Sequence, residues 1–303
     1  MTAGTPRKLS PIDVLSAGFR ELNRRPWLAL PVFVVNMLIA YAPPVSLRPL
    51  LTAIGAFMDD QLPRGVTAGP SNLSQLLEFA SVDWRQPFAL TNALPLLNLS
   101  QIVQTWSRAY EVRGWDVVLA LLVVNLIVFP WSVIFLAQIG RTVRGDTARA
   151  GVPHEITRVA LVYGAVLAIA GAVAVVIGVP LLVAASMASL ITPVLGVLLV
   201  SLILFAGFWL SIYFGFAREA LAVARMGPIG ALRASFGIMR QHFWASIVFL
   251  TLASFLVPAG TAAIWRLLPP SLLGLAVAVI GSSYIGTGLA IARMVFVHDR
   301  LGK

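Results

Sequence analysis

The sequence predicts an all-α fold, a polytopic membrane protein of six transmembrane helices in three hairpins with two amphipathic helices on the cytoplasmic face. Three observations predict it. The chain of 303 residues is 59% hydrophobic and 11% charged, where soluble domains average about 45–50% and about 25%. The apolar residues are gathered into long uncharged runs, each close to the ~20 residues that cross a bilayer as a helix. The third observation is a repeat. Residues 228–244 realign on residues 11–27, with Pro228 on Pro11, Ile229 on Ile12, Leu232 on Leu15, Phe236 on Phe19 and Trp244 on Trp27.

The first element is the leader helix of that repeat. Ser10 is an N-cap, Pro11 fits the first turn, and Asp13 stands three residues beyond the cap. Ile12, Leu15, Phe19 and Leu22 fall at i, i+3, i+7 and i+10, one stripe of a helix. Ile229, Leu232, Phe236 and Met239 repeat that stripe in the second copy. Both are read as helices on the inner membrane surface, each feeding a span opened by a tryptophan. A secretory signal is the competing reading of the first copy, since Arg24 and Arg25 precede an apolar core and Ala40-Tyr41-Ala42 resembles a cleavage site. The long amphipathic leader, Pro43 after the scissile bond and the recurrence at Pro228 all argue against cleavage.

The spans are placed at Trp27–Ala42, Val117–Ile139, Val159–Ala185, Leu195–Phe216, Phe243–Ala263 and Leu272–Val297. Pro130, Pro180 and Pro258 inside them predict kinks, tolerable where neighbours satisfy the freed carbonyl. The turn at Thr192-Pro193 should close an antiparallel hairpin. Residues 43–115 are read as an extracytoplasmic segment with short interfacial helices at Leu47–Met58, Leu73–Ala80 and Phe88–Trp106, all within a single transmembrane domain of 1–303. Asp59-Asp60 and Arg64-Gly65 read as exposed turns.

Charge sets the orientation. With the N-terminus inside, sixteen of the 22 basic residues fall on the inner side, and the outer side is neutral, so the whole formal charge of +10 lies inside. Attraction to anionic lipid headgroups therefore accounts for the basic excess, and nucleic-acid binding needs no separate invocation. The basic residues are nearly all arginine, with Lys8 and Lys303 the exceptions, which fits a GC-rich bacterium. The expected location is the bacterial inner membrane with both termini cytoplasmic. The three hairpins point the same way, so the repeat is parallel, unlike the inverted repeats of many transporters.

Chemistry is sparsely marked. With no cysteine in the chain, thiolate catalysis, disulfides and cysteine-ligated metals are excluded. His154, His242 and His298 lie far apart at span borders without zinc spacing. No nucleophile elbow or phosphate-binding loop occurs, so no cofactor and no catalytic residue is assigned. The spans carry no Asp, Glu, Lys or His near their middles, which speaks against ion coupling. Asn36, Asn125, Gln138 and Tyr284 are the most polar deep residues, each read as an interhelical hydrogen bond before a substrate ligand. The last span has a small residue at every fourth position, Gly274, Ala278, Ser282, Gly286 and Ala290. That face admits close approach of another helix. It serves either as a seam for a membrane-protein partner or second copy, or as ordinary packing within the bundle.

Gly227, Ala231, Leu232, Ser235 and Phe236, with Phe214-Gly215-Phe216-Ala217-Arg218-Glu219-Ala220 ahead of them, carry a family likeness. They resemble a Gly-x-x-x-Ala-Leu-x-x-Ser-aromatic helix found in a broad group of bacterial membrane proteins. That group includes the membrane domain ahead of some glycerophosphodiester phosphodiesterases. The resemblance covers the last third of the chain and implies its topology. The catalytic domain is absent, so no activity carries over. The functional expectation is a non-enzymatic scaffold or accessory subunit of a membrane complex. A permease-like or lipid-handling component is the alternative.

Overall fold

The structure is a computed structural model describing residues 9–61, 84, 88–96, 110–146, 151–269 and 271–302. It is mostly helical, with five helices among the described residues long and apolar enough to cross a membrane: Asp116–Arg144, Val152–Ser189, Val194–Val223, Phe243–Trp265 and Leu272–Leu301. The first expected span is a shorter apolar helix, Pro26–Tyr41. A membrane location follows from these helices. The chain divides into two compact units, one of residues 1–28, 133–257 and 288–303, the other of residues 29–132 and 258–287.

In the first unit, α1 (Pro11–Arg24) starts as the sequence requires. The Ser10 hydroxyl accepts from the Asp13 backbone N–H at 3.2 Å, and the Asp13 carboxylate accepts back from the Ser10 backbone N–H at 3.3 Å, a reciprocal capping box. The helix stops at Arg25, whose backbone is non-helical at φ −139°. In the second copy α9 (Pro228–Gln241) stops in the same way at His242, at φ −128°. Arg25 and His242 are equivalent positions in the repeat.

The faces of the two leaders agree too. α1 buries Val14, Gly18 and Leu22, and α9 buries Ala231, Ser235 and Met239 at the matching positions, with Ile238 beside them. Ile12 and Ile229 are exposed in both, and Leu15 and Leu232 are half-buried in both. Each helix thus docks through a face of mostly smaller residues. The bulky stripe read from the sequence meets that face only at Leu22 and Met239, and elsewhere turns outward or to its edge. Gly18 allows the approach: a Cβ there would stand 2.7 Å from Ala292 Cβ on α12 (Leu272–Leu301), and Phe19 lies against Gly288 of the same helix.

α4 (Asp116–Arg144) ends on Gly145 at φ +75°, with Asp146 N–H bonded to Arg141 C=O at 2.9 Å and Gly145 N–H to Thr142 C=O at 3.1 Å, a Schellman stop. α5 (Val152–Val173), a π-helical turn (Ala174–Gly178) and α6 (Val179–Ile191) then form one long rod. Thr192 is extended and caps α7 (Pro193–Tyr213), its hydroxyl accepting from Leu195 N–H at 3.3 Å, so α6 and α7 form the expected hairpin. They meet through small residues: a Cβ on Gly196 would stand 2.5 Å from Ser189 Cβ. The short α8 (Ala217–Val223) leads to α9, and α10 (Phe243–Thr251) follows the break at His242. Phe249, Phe296 and Phe216 stack at 4.7 and 5.3 Å in the buried centre of this unit.

The second unit contains α2 (Leu30–Tyr41), α3 (Arg48–Gln61), the first part of α4, α11 (Val257–Trp265) from Pro258, and the first part of α12. Ala40, Leu275, Ala278 and Val279 form one buried cluster with Phe33, Met37 and Trp265 around it. A second cluster, Val45, Leu47, Phe88 and Val112, sits under β1 (Val45–Ser46), which pairs in parallel with β2 (Tyr110–Glu111). Asp59-Asp60 lies within α3, so the expected turn is helix there. Arg64-Gly65 and Leu73–Ala80 lie outside the described residues.

A buried arginine–carboxylate clamp at the base of the hairpin

The structure gathers in the first unit a set of charges that the sequence spreads over 150 residues. The six carboxylates counted on the inner side all find partners: Asp13 at Ser10, Glu21 at Arg24 and Arg25, Asp146 and Glu155 at three arginines, Glu219 at two, and Asp299 at Arg300.

Two of these are buried. Glu155, in the first turn of α5, is 2% exposed. It takes Arg144 at 2.9 Å, Arg158 at 2.8 Å and Arg225 at 3.3 Å, and Arg144 and Arg225 also each reach Asp146 at 3.0 Å. The same guanidiniums finish α8. Arg158 donates to the Leu221 C=O at 3.1 Å and Arg144 donates to the Ala222 C=O, two carbonyls at the end of a helix that have no amide of their own. Cations at a helix C-terminus also oppose its dipole. Arg225 holds φ +54°, a left-handed conformation that costs a non-glycine residue about 1–3 kcal/mol. Its two ion pairs require a side chain at that turn, which is why glycine does not stand there.

Glu219, on α8, is 3% exposed. Its Oε1 takes Arg293 Nε at 2.6 Å and Arg218 Nε at 3.1 Å. Arg293 is fully used. It donates to Gly215 C=O at 2.5 Å and to Ser254 Oγ at 3.0 Å, and its guanidinium lies 5.8 Å from the centre of the Phe216 ring. Ser235 completes the site from α9. Its buried hydroxyl accepts from Phe216 N–H at 3.1 Å and donates to Tyr213 C=O at 2.8 Å, closing the turn between α7 and α8. Phe236 stacks on Tyr213 at 5.1 Å. Ala231, Ser235 and Phe236 of the family-like pattern thus have physical duties: a close face, a turn staple and an aromatic contact.

Chemically this arrangement holds helices. Each buried carboxylate faces two or more guanidiniums, an arrangement that ties α4, α5, α8 and α12 into one charged node. Sequence reading counts Arg218, Arg225 and Arg293 as inner-face cations and does not find the node. The available signals were Arg218-Glu219 directly beyond a span and Glu155 three residues before Arg158.

The residues singled out from sequence are placed as follows. Asn36 donates to Ser283 Oγ at 3.1 Å, between α2 and α12. Asn125 donates to Phe88 C=O and accepts from Thr91 N–H. Both serve as hydrogen bonds between segments, Gln138 keeps a buried Oε1 without a partner among the described residues, and Tyr284 is partly exposed. On the last span, a Cβ on Gly274 would meet the Pro269 carbonyl and one on Gly286 would stand 2.6 Å from Pro95 Cβ, while Ala278 is fully buried in the cluster with Ala40. Ser282 and Ala290 are half-buried. This stripe is occupied largely by its own chain.

Fold and node together define a polytopic helical membrane protein braced by buried ion pairs. Comparison with protein-family models, with curated proteins and with solved structures finds no match.

Proposed function

We propose that this protein is a non-enzymatic scaffold or accessory subunit of a membrane complex, and that it docks its partner through the hairpin of α5, α6 and α7. One observation carries the reading. None of the most apolar eighteen residues of Val152–Ser189 is buried, and only 6% of those in Val194–Val223 are, against 56% for Leu272–Leu301. The hairpin is braced at its base by Glu155, Val159 and Tyr163 on α5 and by Trp209 and Tyr213 of α7, which stack on Phe243 and Phe236. Methyl groups placed at Gly171, Gly178 and Gly207 would meet nothing within 4 Å. Such open backbone is what a second membrane helix packs against, because small residues permit close approach. A rigid node beneath a bare arm suits presentation of the arm to another subunit.

The test uses the cysteine-free chain. Gly171→Cys or Gly207→Cys, crosslinked in native membranes, should give a discrete protein adduct, either with one other membrane protein or with a second copy. Lipid adducts alone at both positions would overturn the reading. A lipid-handling component is favoured by a different observation, a cavity of about 470 Å³ beside Asn125 and Pro130 with almost wholly apolar walls. Its test is lipid movement between leaflets of vesicles holding the protein, with and without Asn125→Leu.

A further inference from the structure

We propose that the groove along α1 holds the phosphate of an anionic phospholipid headgroup, bound by Arg20 and Arg24. This stands apart from the scaffold reading, since it rests on a different face of the first unit. A cavity of about 310 Å³ lies between α1, the end of α4 and α12, and its polar walls are Arg20, Glu21, Arg24 and Thr142. A second cavity of about 520 Å³, lined by Leu9, Asp13 and Ser16, shares Ala17 and Arg20 with the first. Together they are within the size range of small-molecule sites, about 300–1,000 Å³.

The charges in the groove are not equivalent. Asp13 is turned to the Ser10 cap, and Glu21 is divided between Arg24 at 3.7 Å and Arg25 at 3.4 Å. Arg25 is also held by Thr142 Oγ1 at 3.3 Å. Arg20, which lines both cavities, makes no ion pair or hydrogen bond among the described residues. Arg24, four residues on and so on the same helix face, is 70% exposed and, among the described residues, makes only the long contact to Glu21. Two guanidiniums spaced by one helical turn, one uncommitted and one loosely held, suit the bidentate recognition of a phosphate. The surroundings favour a lipid as the bearer of that phosphate. Ile12 is 71% exposed at one end of α1 and Trp27 53% exposed just beyond the other, an apolar and an aromatic flank of the kind that seats a helix at headgroup depth.

Diffuse attraction to an anionic surface acts on every inner arginine, so the test needs a control with the same charge change. Full-length protein is reconstituted in vesicles of mixed phosphatidylglycerol and phosphatidylcholine, gently solubilised, and read by native mass spectrometry for retained lipid. Wild-type protein should retain phosphatidylglycerol over phosphatidylcholine. Arg20→Gln with Arg24→Gln should lose that retention about tenfold, the effect of one charge-assisted contact, while Arg233→Gln with Arg240→Gln on α9 keeps it. Arg20→Gln alone removes no hydrogen bond or ion pair among the described residues and should lose lipid in the same direction, which separates binding from folding. Wild-type retention in the Arg20/Arg24 variant, equal loss in both double variants, or equal retention of the two lipids overturns the proposal. Displacement of the lipid by millimolar inorganic phosphate would also overturn it, by assigning the groove to the free ion.

Discussion

Glu219 shows how much a single side chain can organise. Its carboxylate is almost fully buried, with Arg293 and Arg218 both on Oε1. Removing one partner of such a pair strands the other charge, at about 3–5 kcal/mol. Glu219→Gln is therefore expected to lower the melting temperature in detergent sharply and to reduce assembled protein. Glu219→Leu combined with Arg293→Met should recover part of the loss, because it removes the more buried of the two stranded guanidiniums and leaves Arg218, which is 37% exposed. Ser235→Ala leaves a buried N–H at Phe216 and a carbonyl at Tyr213 without their shared partner, and should cost about 1–3 kcal/mol in the same measurement. These contacts were not legible in the sequence. A periodicity argument sees residues within one helix, whereas Glu219 and Arg293 lie 74 positions apart.

At the scale of elements the sequence was a better guide, and the two leader helices were its best part. Both leaders formed, both broke at the equivalent residue, and both entered an apolar helix. The stripe was read as the membrane-facing side of each leader, and the face that packs on the rest of the chain is a different one. The largest apolar residues mark the stripe, but close approach is made by small ones, so Gly18 rather than Phe19 meets Ala292. Gly18→Leu is expected to undock α1 and expose its bonded face to protease. Gly237→Ala, where a Cβ meets nothing within 4 Å, should instead raise stability by about 0.4–1 kcal/mol, in thermal melts of the same preparation. The proline kinks were legible in position but not in form. Pro180 and Pro258 each follow a π-helical turn by two residues, Ala174–Gly178 and Leu252–Leu256, the widened turn absorbing the carbonyl that proline leaves unbonded. Pro130 sits inside α4 without interrupting it. The parallel pairing of β1 and β2, two residues each, had no sequence signal long enough to read.

For the whole molecule, the membrane class was evident from composition, while the number of crossings turns on Pro26–Tyr41, the shorter apolar helix. Six crossings put both ends of the chain on one side; five put them on opposite sides. Because the chain has no cysteine, Ser16→Cys, Ser271→Cys and a cysteine added after Lys303 can each be labelled alone from outside intact cells. The expectation is labelling at position 271 only, with the other two reacting after permeabilisation. Labelling of exactly one terminus without permeabilisation would reduce the count to five.

The length of Val152–Ser189 has a further consequence. At 1.5 Å per residue, its 38 residues extend about 57 Å, nearly twice a hydrocarbon layer of about 30 Å. Tilting alone would have to exceed roughly 55°, beyond the 0–40° seen for membrane helices. Part of the rod therefore stands outside the hydrocarbon layer, and the first turns with Glu155 are the part built for it. One end of the helix is thus held by arginines on Glu155. Two of the same arginines hold the last carbonyls of α8, so the grip on the long helix and the end of the short one are a single contact.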